Sequence, residues 1–146
     1  MQYQIGNKVF CLDESDSSNL TSEAALEFFV PGLARAKQSF RYTGHGRGFT
    51  PARVKAWQSD VGWAAQQAIH RLPCNPFPIS GDVAVDLIFL LGNNRRIDAD
   101  NLSKAVLDAL NGIAWEDDRQ VIDLHLHKTI NAPAENAGVN IFIRKA

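Results

Sequence analysis

Acidic residues and one lysine are concentrated in a short stretch of the sequence, in two groups. Asp98 and Asp100 stand before a segment with helical periodicity, and Lys104 follows four residues after the second of them. Asp117 and Asp118 come after the same segment. Carboxylates hold Mg²⁺ against the phosphate oxygens of a phosphodiester, and the bound metal promotes hydrolysis. We expect a strand–helix–strand unit to bring the two groups together, and the stretch therefore indicates a metal-dependent hydrolase.

The first acidic pair is predicted to share one pocket at the start of a helix. Residues at i and i+2 of a helix lie about 200° apart, so Asp98 and Asp100 share a face only if Asp98 is extended and Asp100 is the N-cap. Lys104 lies off the apolar stripe of this helix and can face the same pocket. Asn111-Gly112 is the predicted end of the helix. The stripe comprises Leu102, Ala105, Val106, Ala109, Leu110 and Ile113.

Each of these residues also has an ordinary structural role. An aspartate at a helix start is a common cap, Lys104 and Asp108 at i, i+4 can form a surface ion pair, and Asp117-Asp118 can form a solvated turn. Together they are harder to explain without a cation. Residues 98–123 carry seven acids and two bases, and clustered carboxylates repel one another unless a cation neutralises them. The sequence leaves open whether one metal ion or two would bind.

Length and composition indicate one ordinary globular domain. The 146 residues have a net charge of −1 and are 45% hydrophobic, and no stretch approaches the ~18 apolar residues of a membrane span. Residues 1–12 lack the apolar core of a secretory signal, and two cysteines are too few for a disulfide-stapled secreted fold. We therefore expect a cytoplasmic protein with no membrane partner. Residues 1–24 are expected to form an acidic N-terminal extension and residues 25–146 a single domain.

Positive charge is concentrated in one window, which indicates a polyanionic partner. Residues 31–59 carry six bases and no acid, and such an excess suits a nucleic acid contacted at its phosphates. A basic surface that is simply solvated is the alternative. The segment GHGRG at 44–48 is not followed by Gly-Lys-Ser/Thr, so no nucleotide cofactor is expected. The candidate DNA-binding residues are Arg35, Lys37, Arg41, Arg47, Arg95 and Arg96.

Periodicity along the chain predicts an α+β domain, with a mixed or antiparallel sheet of about four strands and two main helices packed on one face. Strands are predicted at 25–30, 81–91, 121–128 and 139–144. In the 81–91 strand, the alternate residues from Val83 to Leu91 form an apolar face. In the 121–128 strand, Ile122, Leu124 and Leu126 are expected to point inward, and Asp123, His125 and His127 outward.

The first helix is predicted from its start signal and its apolar stripe. Thr50 is the expected cap, with Pro51 at the first helical position, and the helix is expected to stop at Pro73 before a linker loop at 73–80. Trp57 and Trp63 lie about 240° apart on a helix, so only one of them fits the core. Trp63 is left either partly exposed or packed against a partner chain.

The acidic stretch resembles the RusA-type Holliday-junction resolvases of bacteria and their phages. The likeness rests on RRIDADNLSKAVLDALNG at 95–112, followed by WEDDRQVID at 115–123. It extends more weakly to most of the chain from about residue 26. FFVPG at 28–32 resembles the family's first strand and turn, and FTP at 49–51 resembles its tyrosine-threonine-proline segment. The resemblance implies a RusA-like fold for residues 25–146.

Carried over position by position, the resemblance implies a set of site residues and an activity. Asp98, Asp100 and Asp118 match the catalytic metal-binding aspartates, Lys104 matches the essential lysine, and Asp117 matches a neighbouring acid that joins the metal set. The implied cofactor is Mg²⁺, with Mn²⁺ as a substitute ion. The implied enzyme is a crossover junction endodeoxyribonuclease of bacterial or prophage origin. It would be a homodimer that binds branched DNA and resolves four-way junctions by paired strand cuts in recombination and repair.

Two other functions fit parts of the sequence. A catalytically inactive relative would bind branched DNA without cutting it, but the complete set of acids and lysine argues against this. A phosphohydrolase acting on small nucleotides would use similar acids, but the basic window favours a polymer. His125 and His127 share a strand face and could bind Zn²⁺ or Ni²⁺, yet no Cys or third His lies at a suitable spacing. We interpret these histidines as surface or DNA-facing residues.

Overall fold

The structure is a computed structural model that describes residues 2–5, 8–11, 26–37, 50–73, 75–92 and 96–146. A hairpin of β1 and β2 precedes the main domain, and sequence periodicity did not indicate it. The main domain contains four strands, β3 to β6, and two helices, α1 and α2. The elements in chain order are β1 (Gln2–Ile5), β2 (Lys8–Cys11), β3 (Leu26–Pro31), α1 (Ala52–His70), β4 (Val83–Gly92), α2 (Ala99–Leu110), β5 (Val121–Ala132) and β6 (Gly138–Lys145).

The main sheet is mixed and has the strand order β3-β6-β4-β5. Strand β6 pairs antiparallel with both β3 and β4, whereas β4 and β5 are parallel. A parallel pair requires a crossover, and α2 supplies it. The α+β fold predicted from the sequence, with four strands and two helices, is therefore confirmed.

One face of the sheet and both helices form a single apolar core. The alternation predicted for β4 is confirmed, because Val83, Val85, Leu87, Phe89 and Leu91 are all buried. They belong to one cluster with apolar residues of α1 and α2. On α1 the two tryptophans separate as expected: Trp57 is 3% exposed and Trp63 is 65% exposed. Neither helix in the described part of the chain is long and apolar enough to cross a membrane.

The ends of α1 differ from the prediction by one or two residues. The helix begins at Ala52 with Pro51 as its N-cap, and Pro51 supplies a carbonyl oxygen to the amides of Val54 and Lys55. Thr50 is therefore not the N-cap. The carbonyl oxygen of Pro51, one residue further along the chain, accepts the first intrahelical hydrogen bonds. The helix ends at His70, before the expected stop at Pro73.

The segment predicted as a linker loop packs into the core instead. Phe77 and Ile79 are buried, and the Ile79 amide donates to the Ala114 carbonyl oxygen at 2.9 Å. Its prolines rule out regular structure, but its two large apolar side chains gain from burial. The segment therefore helps to position the turn that carries the second acidic group.

The inward face predicted for β5 is wrong at Ile122, and Leu124 lies on that face but is only partly covered. Ile122 is 62% exposed and Leu124 is 37% exposed, while Leu126 is half-buried. The register shifts between Val83↔Val121 and Ala84↔Asp123, so Ile122 is an extra residue that has no partner on β4. Such a bulge interrupts the alternation of side chains. Leu124 lies opposite Val85, but on an edge strand it is only partly covered.

Candidate active site

The first acidic group lies at the N-terminus of α2. Asp98 is the N-cap, with φ −60° and ψ 129°, and its carbonyl oxygen accepts a hydrogen bond from the Leu102 amide at 3.1 Å. Asp100 falls in the first helical turn, where the helix dipole favours negative charge. The prediction that Asp100 is the N-cap is wrong by two positions, because the carbonyl oxygen of Asp98 already accepts the first intrahelical hydrogen bond. The extended backbone predicted for Asp98 is confirmed.

Asp98, Asp100 and Lys104 are accessible to a ligand. The Asp98 side chain makes no capping hydrogen bond and is exposed. Lys104 Nζ lies 3.8 Å from Asp100 Oδ2, with the lysine side chain 52% and the aspartate side chain 71% exposed. So exposed a pair contributes little to stability, typically ~0.2–1 kcal/mol. The pair matters for its position, because it places the Lys104 ammonium group beside the Asp100 carboxylate.

Asp108 has a different partner from the one the sequence suggested. Lys37 Nζ forms an ion pair with Asp108 Oδ2, and the Lys37 amide donates to the Asn101 carbonyl oxygen at 3.0 Å. The segment after β3 therefore lies along α2. Lys37 was predicted to bind DNA, but in this structure its charge is matched by Asp108.

The second acidic group lies in a 3₁₀ turn, Asp118–Gln120, that leads into β5. Asp117 caps this turn. Its Oδ1 accepts from the Arg119 amide at 2.9 Å, and its Oδ2 accepts from Arg119 Nη2 at 3.0 Å. The hydrogen bonds from Arg119 hold the pKa of Asp117 below its ordinary value, and the same pairing raises the pKa of Arg119. Asp117 therefore has a complete structural role in the folded chain.

Asp118 is held by a buried tryptophan. Trp115 is fully buried, and its Nε1 donates to Asp118 Oδ1 at 2.8 Å. Within the described part of the chain no hydrogen bond is made to the second carboxylate oxygen of Asp118. The indole thus fixes the carboxylate through one oxygen and leaves the other for a ligand.

Gln120 anchors this turn to the rest of the domain. Its side-chain oxygen accepts from the amides of Glu116 and Asp117, both at 2.8 Å. Its Nε2 donates to the carbonyl oxygens of Ile79 and Gly81, at 2.7 and 2.8 Å. Sequence reasoning assigned no role to Gln120 or Trp115. The only signal was their closeness to Asp118 in the sequence, and long-range contacts are not visible in spacing.

The two acidic groups lie at opposite ends of the β4–α2–β5 unit. Because β4 and β5 are parallel, α2 must run back along the sheet, so its N-terminus and the start of β5 are far apart. The 12 residues of α2 rise about 18 Å. Lys128 Nζ donates to the Ile97 carbonyl oxygen at 2.6 Å, which places the Asp98 end of the helix beside the distal half of β5. The expectation that this unit unites the acids is not met within one chain.

The residues of one chain do not fit a three-carboxylate metal site. In the described ranges no three side chains of His, Cys, Asp or Glu come close enough together to hold an ion. Asp98 and Asp100, at the start of α2, are the pair best placed to contribute carboxylates, and Lys104 lies beside Asp100. Asp118 belongs to the other end of the unit. A single chain therefore presents two parts of a site rather than a whole one.

The other predicted DNA-binding residues are only partly described. Arg35 is half-buried after β3 and Arg96 is exposed two residues before Asp98. Arg41, Arg47 and Arg95 lie outside the described residues. His125 Nε2 lies 3.0 Å from Asp123 Oδ1, and Asp123 also lies 3.6 Å from Arg144. Asp123 and His125 are therefore exposed polar residues on the outward face of β5, as predicted.

Comparison with known protein families gives a match that covers most of the chain. The family model described as Endodeoxyribonuclease RusA matches residues 30–144. This range contains both acidic groups, Lys104 and every element of the main sheet, apart from the first four residues of β3 and the last residue of β6. No curated protein sequence matches the chain.

Proposed function

The chain belongs to the endodeoxyribonuclease RusA family, and from this premise we propose that it resolves four-way DNA junctions by paired cuts in opposed strands. The observation that carries the proposal is the family match over residues 30–144, which includes the acid and lysine positions. The reaction class is hydrolysis of a DNA phosphodiester. Recombination and repair intermediates are the branched substrates that such an enzyme would process, in a bacterial or prophage setting.

The end of α2 supplies the groups that a phosphodiester would meet first. Lys104 is exposed and lies 3.8 Å from Asp100, so its ammonium group can approach a phosphate oxygen while it stays near the carboxylate. A cation in this position stabilises the negative charge that builds on the phosphate oxygens in the transition state. Asp98, with no capping hydrogen bond of its own, is free to orient a ligand or a water molecule.

Mg²⁺, with Mn²⁺ as a substitute, is the proposed cofactor. Mg²⁺ is usually held by one or two carboxylates together with waters and substrate phosphate oxygens. Asp98 and Asp100 would supply those carboxylates, and the bound ion would polarise the scissile phosphate. Asp118 is part of the proposed metal set, and the further contribution of Asp117 is limited by its bonds to Arg119.

A homodimer is the proposed working unit. A four-way junction presents two equivalent scissile strands, and a two-fold dimer presents two equivalent sites in matching symmetry. Sedimentation at micromolar concentration should give twice the chain mass of 16.1 kDa. A monomer both alone and on junction DNA would leave a nicking enzyme and remove the paired-cut proposal.

The proposal is tested by cleavage of synthetic DNA. Four-way, flap and linear duplexes of the same sequence are incubated with the protein in Mg²⁺, in Mn²⁺ and in EDTA. Paired cuts in the four-way junction with a metal, and slower or absent cleavage of the linear duplex, are expected. Asp100→Asn is the matched control, because it removes a charge but keeps the side chain's size. Metal-independent binding without cleavage by the unmutated protein would favour the inactive DNA-binding alternative.

A further inference from the structure

A groove between β3 and α1 lies at the edge of the main sheet opposite to β5. None of the residues that line it belongs to the two acidic groups, and its volume of about 730 Å³ is in the usual range for ligand sites. The two alanines of its floor lie four residues apart on α1, and their short side chains leave space beside a phenylalanine of β3. The floor consists of half-buried apolar side chains at the border of the core, which are Phe28, Ala64, Ala68 and Leu72.

The strand side of this groove is an open edge of the sheet. Among the described strands, β3 pairs only with β6. The Gly32 amide donates to the Ala137 carbonyl oxygen at 2.9 Å, and alternate residues of an antiparallel ladder direct their backbone groups to the same neighbour. The even-numbered residues of β3 therefore bond to β6, whereas Glu27 and Phe29 direct their amide and carbonyl groups outward. Pro31, which has no amide hydrogen, occupies the next outward position. Such unpaired backbone groups can pair with another chain.

The helix side of the groove carries charges of opposite sign at its two ends. Strands β3 and β4 are both antiparallel to β6, so α1, which connects them, runs back antiparallel to β3. Asp60 therefore lies toward the end of β3, and Arg71 lies toward its start. Both residues are exposed, and neither forms an ion pair with another described residue. Their separation along the helix is about 16 Å, a distance that about five residues of a strand would span.

Two exposed aromatic side chains also line the groove. Trp63, one turn beyond Asp60 on α1, is 65% exposed, which is the largest value among the exposed large apolar side chains of the described residues. Phe29, on the strand side, is 40% exposed. Aromatic residues are enriched where proteins bind one another. An apolar floor, free backbone groups on one wall and unpaired charges on the other are together the features of a site for an extended peptide.

We propose that this groove binds an extended peptide of a partner protein, which pairs antiparallel with β3 and extends the main sheet by one strand. This binding function goes beyond the nuclease function and does not depend on it. Glu27 and Phe29 each exchange two backbone hydrogen bonds with the peptide. The peptide runs in the same direction as α1, so its N-terminal end lies near Asp60 and its C-terminal end lies near Arg71.

The side chains that line the groove specify the residue types of the peptide. Residues directly opposite each other in an antiparallel pair have their side chains on the same face of the sheet. Leu26, Phe28 and Val30 face the helices, so the peptide residues opposite them point into the groove. A basic residue opposite Val30 meets Asp60, and an apolar residue opposite Phe28 packs on the floor. An acidic residue opposite Leu26 meets Arg71. The recognised sequence is therefore basic, any, apolar, any, acidic.

Two peptides of the same composition and opposite charge order test this specificity. Both are blocked at their ends; the probe has the core Lys-Thr-Leu-Thr-Glu and the control has Glu-Thr-Leu-Thr-Lys. In a heteronuclear NMR titration of the whole chain, the probe should shift the amide signals of Glu27 and Phe29 and the indole signal of Trp63, and the shifts should saturate. The control should bind about tenfold more weakly, because both charge pairs change from attraction to repulsion, and high salt should reduce this difference. Equal binding of the two peptides, or no saturable binding, would overturn the proposal.

Exchanging the two charges of the groove should reverse the preference. In a variant with Asp60→Arg and Arg71→Asp, the control peptide should bind about tenfold more tightly than the probe. Both positions are exposed, so this variant is expected to fold. Ala68→Trp fills the groove and should abolish binding, whereas Ala56→Trp, at an exposed position of α1 that does not line the groove, should not. An unchanged preference after the charge exchange would contradict the proposed peptide orientation.

Other occupants of the groove would give different results. If a second copy of the chain occupied it, the charge exchange would dissociate the protein in sedimentation. If unpaired DNA occupied it, a thymidine oligonucleotide would displace the peptide and shift the Trp63 indole signal. Either result would overturn the peptide site. Junction cleavage should be the same in the charge-exchange variant and the wild type. Peptide binding without any cleavage by the wild type would remove only the nuclease function, and cleavage without peptide binding would remove only the peptide site.

Discussion

The bond between Trp115 and Asp118 allows the structural role of the aspartate to be separated from its proposed catalytic role. Asp118→Asn retains an oxygen that can accept from the indole Nε1, whereas Asp118→Ala removes it. Trp115 is fully buried, and its Nε1 donates to Asp118 Oδ1 at 2.8 Å. The alanine variant therefore leaves a buried donor unsatisfied, while the asparagine variant does not.

The magnitude follows from this difference. An unsatisfied buried donor costs about 1–3 kcal/mol of stability. For a chain of this size each kcal/mol lowers Tm by roughly 2–4 °C, so Asp118→Ala should melt roughly 2–12 °C below Asp118→Asn. The asparagine variant should remain close to wild type in stability and yet lose cleavage, because a neutral amide is a poor substitute for a metal-binding carboxylate.

The assay is urea unfolding of both variants alone and in a Trp115→Phe background. Phenylalanine has no N–H donor, so in that background the alanine and asparagine variants should have nearly the same free energy of unfolding. Equal stability of the two variants with Trp115 intact would show that the indole does not depend on Asp118. A difference in stability that persists in the Trp115→Phe background would assign the effect to packing instead of the hydrogen bond.

Three further outcomes are expected. Lys104→Ala should reduce turnover by at least ~10²-fold, the usual loss when one transition-state donor is removed. The affinity for the metal should barely change. Single-turnover cleavage at a series of Mg²⁺ concentrations measures both. Asp117→Asn should be less stable than wild type at neutral pH. The depressed pKa of Asp117 means that its stabilisation is present above its unfolded pKa and is lost as the pH falls through the folded value, so urea midpoints should converge below about pH 4. Gly138→Ala should lower the free energy of unfolding by about 1–3 kcal/mol, because an added Cβ would overlap the Val30 carbonyl oxygen and lie 2.6 Å from Phe29 Cζ. Thermal melting measures the loss. Gly92→Ala is the control, because the atom nearest to its added Cβ is 3.8 Å away.

Elements with a strong internal period could be predicted from the sequence. The buried face of β4 follows from strict alternation, and the stripe of α2 follows from helical spacing at Leu102, Ala105, Val106 and Leu110. Both elements touch the core along their whole length, so their local pattern and their tertiary environment agree. Gly112, with φ +82° just after α2, ends the helix in the way that Asn111-Gly112 indicated.

Features that depend on a neighbour in space could not be predicted in this way. The exposure of Ile122 arises from a register shift against β4, and no local pattern encodes that shift. The packing of the 75–80 segment depends on Ala114 and on the Gln120 side chain, both more than 30 residues away. The ion pair of Lys37 with Asp108 likewise joins residues 71 positions apart, so a lysine in a basic window proved to have an acidic partner.

The separation of the acids has a physical consequence for the folded chain. With the two groups about 18 Å apart across α2, their mutual repulsion is largely screened at physiological ionic strength, where the Debye length is about 8 Å. A single chain therefore tolerates these carboxylates without a metal.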